Sequence, residues 1–395
     1  MRFVVSIEIF FAFLRLGLTS FGGPVAHLAY FHREFVERRA WLDDDAYAEL
    51  VALCQVLPGP ASSQVGIGLG LLRGGIAGSL AAWLGFTLPS ALALTALALV
   101  LRDRGLAASI GAVHGLKVAA VAVVAQAVWS LGKKLCPDRP RLGLALAAGA
   151  LSLLVPGSAA QLGAIVAGAL VGALFLVPAE VPARQLRFDA APGKMTGAAL
   201  LLAFALLLFT APVLAHVYRI GALELFDRLY RSGALVFGGG HVVLPLLQAQ
   251  FVESGLVDQS TFLAGYGAAQ AVPGPLFTFA AYLGALSTTG PGGWIGAAIG
   301  VMAIFLPGYL LIVGVLPFWG SVRRHACVAR ALLGVNAAVV GLLLAAFYNP
   351  VWTSAIGSLG DLALAAVALA LLQTGKAPPW LVVGGCAAIG AGIPG

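Results

Sequence analysis

The sequence predicts an all-α polytopic membrane protein: about 13 transmembrane segments, arranged as two inverted six-segment repeats joined by one helix, with helices broken at two Pro-Gly-Pro motifs. Three observations predict it. Of the 395 residues, 60% are hydrophobic and only 10% charged, and mean hydropathy is +0.98, whereas soluble chains carry about 25% charged residues. The apolar runs, such as Ala81–Leu101 and Met195–Ala215, are continuous rather than alternating, which selects helices over a closed barrel. Two unusual breaks then occur twice. Phe21-Gly22-Gly23-Pro24 returns as Phe237-Gly238-Gly239-Gly240, and Pro58-Gly59-Pro60 returns as Pro273-Gly274-Pro275. Glycine runs and paired prolines are costly in a helix, so their repetition marks a designed interruption.

Taken in order, the first half holds apolar segments at about 8–31, 47–72, 76–101, 110–131, 142–155 and 160–177. The polar stretch 178–193 is the natural linker, and 195–217 reads as one connecting helix. The second half continues with 223–252, 262–286, 294–318, 331–347, 353–372 and 380–392. The domain boundaries follow: a first repeat at 1–178, a linker with its helix at 179–218, and a second repeat at 219–395.

The halves align beyond the breaks. Glu8 matches Glu224, Arg15 matches Arg231, Asp43 matches Asp258, Gln55 matches Gln270, Pro89 matches Pro307, and Lys117 matches Asn336. An even repeat followed by one connecting helix starts its second copy on the opposite side, so the repeats are expected to be inverted. Counting every segment as a crossing places Lys133, Lys134, Arg139 and Arg141 inside and Arg33, Arg38 and Arg39 outside. The balance of basic residues still favours a cytoplasmic N-terminus and an external C-terminus, in the cell inner membrane.

The breaks carry the candidate chemistry. Pro60 suits the first position of a new half-helix and Gly59 its cap, leaving Ser62 and Ser63 in the first turn. Such an end presents free N–H groups and the positive end of a dipole, which favour an anion. Gln55, Pro58 and their counterparts Gln270, Pro273, Gly274 and Pro275 complete this set. Packing of a kinked helix is the plainer alternative for any one copy. At Phe21-Gly22-Gly23 and at Gly238-Gly239 the absent side chains allow close approach of backbone to ligand or helix. Arg15 and Arg231 each precede their Phe by six residues, and a guanidinium in apolar surroundings is functional by default. Lys117 interrupts an apolar helix, with neutral Asn336 as its repeat partner. Glu37 and Glu253 are candidates for coupling or gating. His27 and His241 follow the Gly-Gly breaks without aligning, and read as ordinary helix histidines or as proton carriers.

Other classes find no support. The net charge of +7 is explained by topology, so no nucleic-acid partner is expected. Cys54, Cys136, Cys327 and Cys386 are scattered without metal or disulfide spacing. No phosphate-binding loop, zinc set or nucleophile elbow is present, and neither cofactor nor enzymatic activity is expected. The rival from a different class, a membrane enzyme acting on a phosphorylated lipid, would need clustered catalytic residues near one interface.

The motifs Leu14-Arg15-Leu16-Gly17, Ser20-Phe21-Gly22-Gly23-Pro24, Glu37-Arg38-Arg39-Ala40-Trp41-Leu42 and Gln55-Val56-Leu57-Pro58-Gly59-Pro60, together with Gln270-Ala271-Val272-Pro273-Gly274-Pro275 and Phe305-Leu306-Pro307, resemble those of the chromate ion transporter family in its long, two-domain form. The resemblance covers nearly the whole chain. It implies efflux of chromate from the cytoplasm, giving chromate resistance, with sulfate as the structural analogue. Chromate, sulfate, protons, the lipid bilayer and a second copy of the chain are the partners considered. A sulfate or other oxyanion transporter is the rival within the class.

Overall fold

The computed structural model describes residues 2–104, 110–155, 158–177, 192–237, 240–322, 326–375 and 377–392. Gly238 and Gly239, and most of the linker, lie outside the described residues. All regular elements described are helical.

The glycine and proline breaks reverse the chain. Helix α1 (Arg2–Thr19) ends at Ser20, and α2 (Gly23–Phe31), continued by a π-helical stretch His32–Arg38, returns alongside it. Arg39 pairs with Glu8 (2.9 Å), and Phe13 stacks on Phe35 at 4.7 Å between ring centroids. The reversal needs left-handed backbone, supplied by Gly22 (φ 100°) and Gly23 (φ 74°). Helix α3 (Asp44–Val56) is capped by Asp43, whose carboxylate accepts from the Ala46 N–H. It stops at Leu57, because Pro58 and Pro60 cannot continue it. Helix α4 (Ala61–Arg104) begins after Pro60 and folds back, so that Gly68 lies against Leu50. It breaks again at Gly74 and Gly75. The limb 76–104 then runs back beside both α1 and the limb 61–73, with Gly70 against Gly78 and Gly17 against Phe86.

Helices α5 (Ile110–Leu135), α6 (Arg139–Leu154) and α7 (Ser158–Phe175) complete the first half, and α8 (Lys194–Tyr218) connects to the second. There the same sequence of events recurs. Helices α9 (Gly221–Ala234) and α10 (Val243–Phe251) form a hairpin, in which Arg228 donates to the Gln250 carbonyl (2.8 Å). Asp258 caps α11 (Gln259–Ala271) as Asp43 caps α3. After Pro273-Gly274-Pro275 and a 3-10 turn, α12 (Phe279–Leu286) returns, and the Tyr282 hydroxyl donates to the Thr261 carbonyl (2.9 Å). Then follow α13 (Gly293–Val315), the short α14 (Trp319–Val322), α15 (Ala326–Ala346), the one-turn α16 (Thr353–Ala355), α17 (Leu359–Thr374) and α18 (Pro379–Gly392).

Five described stretches are long and apolar enough to cross a bilayer: Ala61–Asp103, Gly111–Leu135, Lys194–Tyr218, Gly293–Phe318 and Cys327–Ala355. Shorter apolar helices, among them Ala159–Phe175, Leu359–Thr374 and Pro379–Gly392, accompany them among the described residues, so fewer than the thirteen expected segments are full-length spans by themselves. The segments at 8–31, 47–72 and 262–286 turn back at Phe21-Gly22-Gly23 and at the two Pro-Gly-Pro breaks, and 223–252 holds the α9–α10 hairpin. Helices α17 and α18, of 16 and 14 residues, span only about 20–24 Å at 1.5 Å per residue. Hydropathy counts apolar residues and is blind to the direction in which the chain leaves a glycine.

The helices sort into two bundles. One contains α1–α4 and α8–α13, joined through α4 against α12 and α13. The other contains α5–α7 and α15–α18, and within it the halves are exchanged. Helix α5 of the first half packs on α17 and α18 of the second; α15 of the second packs on α6 and α7 of the first. Glycines make these contacts close. A Cβ at Gly115 would strike the Cys386 carbonyl, and its counterpart Gly334 would strike the Gly168 carbonyl.

Candidate functional site

All the hairpin tips converge between the bundles, and they bond across the two halves. The Gly59 N–H donates to the Val236 carbonyl (2.7 Å), and the Gly274 N–H donates to the Ser20 carbonyl (3.0 Å). Ser20 and Val236 are aligned positions, as are Gly59 and Gly274, so this is one contact made twice. A Cβ on Gly59 would stand 3.2 Å from the Gly308 Cα, and one on Gly274 would stand 2.9 Å from Ser90 Oγ. Gly308 and Ser90 again correspond, each following its aligned proline. On the axis of this relation Gly240 faces Pro24, its own counterpart, with a Cβ there 3.2 Å from the proline Cγ.

Two cavities flank the tips. The larger, about 380 Å³, is lined by Gly22, Pro24, Leu28, Cys54, Gln55, Leu57, Gly59 and Ala61 on one bundle, with Gly240 and His241, and by Gln126, Ser130, Leu131, Lys134 and Asn336 on the other. The smaller, about 40 Å³, is lined by Gly22, Gly23, Val123, Gln126, His241, Gln270, Val272, Gly274, Leu276, Leu372 and Pro379. Gln55 corresponds to Gln270, Leu57 to Val272, Gly59 to Gly274 and Ala61 to Leu276. The cavities are thus related sites of very different size. The cause is packing: α11 closes on α5 and α18, whereas α3, its counterpart, packs on α4 and the end of the first hairpin.

The structure brings some of the sequence-derived candidates together and separates others. Phe21, Gly22, Gly23, Gln55, Pro58, Gly59, Pro60, Gln270, Pro273, Gly274, Pro275 and Asn336 all lie at the tips or cavity walls. Phe21 rests against Trp380 (6.2 Å between rings), and the Pro58 carbonyl accepts from Gln64 Nε2 (2.9 Å). Ser62 and Ser63 are buried in the first turn of α4 behind the wall, Ser62 Oγ lying 3.3 Å from His27 Nδ1. Arg15 is exposed on the flank of α1, outside both cavities. Arg231 pairs with buried Asp227 beside a separate small cleft with Gln161. Lys117 Nζ donates to the Ser354 carbonyl (3.3 Å). Glu37 is held at the bundle end by His32 (3.1 Å), which also meets Asp44 (2.6 Å). Glu253 follows the end of α10.

Sequence reasoning passed over Gln126 and Lys134. Gln126 is a lone amide in an apolar helix, and its Nε2 donates to the Leu372 carbonyl (3.1 Å). Lys134 sits in the last turn of α5, and is the one Lys or Arg lining either cavity among the described residues. It resembles a loop lysine until α3 is seen facing it across open space.

Because Asp227 is 3% exposed, Arg231→Ala would leave its buried carboxylate without its paired guanidinium, at a cost of about 3 kcal/mol. The expected result is loss of folded protein in detergent, restored when Asp227→Ala is added, as read by size-exclusion chromatography.

The family model described as "Chromate transporter" matches residues 7–173 and 223–391, one match in each half. The chain belongs to the chromate transporter family. It is therefore a multi-pass membrane transporter rather than an enzyme. Among members of the chromate transporter family, the chain is similar to the chromate transport protein of Cupriavidus metallidurans, with 31% identity covering 96% of this chain and 90% of that one. It is 30% identical to the chromate transport protein of Pseudomonas aeruginosa, over 85% of this chain and 79% of the other. An uncharacterized transporter of Methanocaldococcus jannaschii is 25% identical over 86% of this chain and 83% of its own length. No solved structure matches.

Proposed function

We propose that this chain is a secondary transporter that exports chromate from the cytoplasm by alternating access of two inverted repeats, conferring chromate resistance. The observation that carries the reading is the pair of related cavities, one open and one collapsed, on either side of a shared wall. Exchanging the environments of α3 and α11 would collapse the first and open the second. The paired tip contacts at Gly59 and Gly274 hold one bundle together while the other rocks against it.

Orientation follows from the hairpins. If the first two segments fold back within the bilayer, Arg33, Arg38 and Arg39 join Lys133, Lys134, Arg139 and Arg141 on the N-terminal side. The opposite side keeps Arg102, Arg104, Arg219 and Arg228. The basic bias is then stronger than a count of thirteen crossings allows, and it favours a cytoplasmic N-terminus. Two crossings per half preserve the inversion, because the number is still even. The large cavity then opens to the cytoplasm, with Lys134 at its mouth as the attracting charge. Arg231 and Lys117 flank the path, holding the α9–α10 hairpin through Asp227 and α16 through the Ser354 carbonyl, while Arg15 stands outside it on α1. A dianion leaving a negative interior gains about 4.6 kcal/mol per 100 mV, and exchange with protons or sulfate would add to it.

The test is flux of radiolabelled chromate in inverted membrane vesicles. Uptake that is saturable, stimulated by an inside-positive potential and absent from vesicles without the protein is the expected result. Uptake of sulfate with no competition by chromate would replace the substrate, and equal accumulation in both vesicle types would overturn the reading.

A further inference from the structure

The wall between the two cavities is thin and asymmetric. Gly22, Gln126 and His241 line both. Gly22 offers backbone alone, so the side chains on the wall are an amide and an imidazole. His241 adjoins Gly240, which meets its repeat counterpart Pro24 on the axis, yet the first half has Val25 where the second has His241. One imidazole therefore serves both cavities. Its Nδ1 lies 3.2 Å from the Tyr266 hydroxyl, which fixes the ring. Its Nε2 points to Gly23, where even a Cβ would stand 3.8 Å away. The left-handed φ of Gly22 and Gly23 keeps that side bare. His27, by contrast, is buried, with its Nδ1 at Ser62 and its ring against Phe86.

We propose that His241, supported by Gln126, is the contact across which a tetrahedral oxyanion passes from one cavity to the other, through Nε2. This rests on the transport reading above. Because Tyr266 occupies Nδ1, Nε2 is the ring nitrogen open to the anion, and an imidazolium donating from it forms a charge-assisted hydrogen bond. Anion occupancy and protonation of the ring then reinforce one another, since each raises affinity for the other by the same factor. The other titratable groups facing this space are Tyr266 on α11, Cys54 on α3 and Lys134 on α5. Tyr266 anchors the ring, and the remaining two stand in the larger cavity.

Equilibrium dialysis of purified full-length protein against radiolabelled chromate, between pH 5.5 and 8, tests the assignment. A glutamine places its amide nitrogen near Nε2, and an asparagine places it near Nδ1. His241→Gln should bind within about threefold of wild type, and its affinity should no longer fall as pH rises. His241→Asn and His241→Ala should lose about tenfold or more. Wild-type affinity with the same pH profile in His241→Ala, or Asn equal to Gln, overturns the role of His241 while leaving the transport reading intact. If wild-type protein itself binds no chromate, the substrate reading fails first.

Discussion

Replacing Gly59 with valine should abolish chromate export while leaving much of the protein in the membrane. Gly59 has φ 119°, a sparsely populated region that costs an L-residue about 1–3 kcal/mol even without neighbours. A β-branched side chain adds a collision with the Gly308 backbone, 3.2 Å from the Cβ position. The break cannot relax outward, because the Gly59 N–H is committed to the Val236 carbonyl. The tip of one half would be pried from the tip of the other, at the floor of the larger cavity. Gly274→Val should do the same through Ser90 and the Ser20 carbonyl. We expect at least a 100-fold loss of flux in each, measured in vesicles at matched protein level. Gly75→Ala is the control: its φ is 64°, but nothing lies within 4 Å of its Cβ position, so it should lose about tenfold at most.

Reversing the charge of Lys134 should have the second largest effect. The larger cavity is lined by amides, a hydroxyl, a thiol, the His241 imidazole, apolar groups and one ammonium. Lys134 is exposed, so its contribution is attraction at the mouth rather than a buried bond, and it is screened over about 8–10 Å at physiological salt. Lys134→Glu is expected to raise the half-saturating chromate concentration about tenfold at low ionic strength and much less at 0.5 M salt. Lys133→Glu should matter less, because that ammonium lies over the Trp129 ring at 4.5 Å. Equal effects of the two substitutions, or no dependence on salt, would remove Lys134 from the path.

The membrane class and the duplication were legible because both are written in residue identity. The apolar surplus, the repeated breaks and the alignment of Asp43 with Asp258 needed no coordinates. What hydropathy could not supply was direction. The stretch from Glu8 to Phe31 is mainly apolar, whether it crosses the bilayer or turns at Gly22. Contacts across the turn, such as the Glu8–Arg39 pair and the Phe13–Phe35 stack, show that it turns. The exchange of helices between halves is likewise invisible in a linear alignment, since Gly115 and Cys386 become neighbours only when α5 leaves its own repeat. Among the site candidates, glycines and prolines at the tips could be found because backbone geometry demands those residue types. Charged candidates could not be sorted that way. Arg15, Arg231 and Lys117 stand out in apolar sequence, yet lie on flanks, whereas Lys134 looks ordinary and lines the cavity.

The central claim is that the asymmetry between α3 and α11 reverses during transport. In this structure Gly267 of α11 adjoins Leu116 of α5, with its Cβ position 2.6 Å from the Leu116 carbonyl. The corresponding pair is Ala52 and Val335, on α3 and α15. Cysteines placed at Ala52 and Val335, in a chain whose four native cysteines are replaced by alanine or serine, test the exchange directly. The account predicts a disulfide that forms under oxidation in membranes, arrests chromate flux, and releases it again on reduction. Failure of that pair to cross-link while the protein transports chromate at the wild-type rate, or cross-linking that leaves flux unchanged, would contradict it.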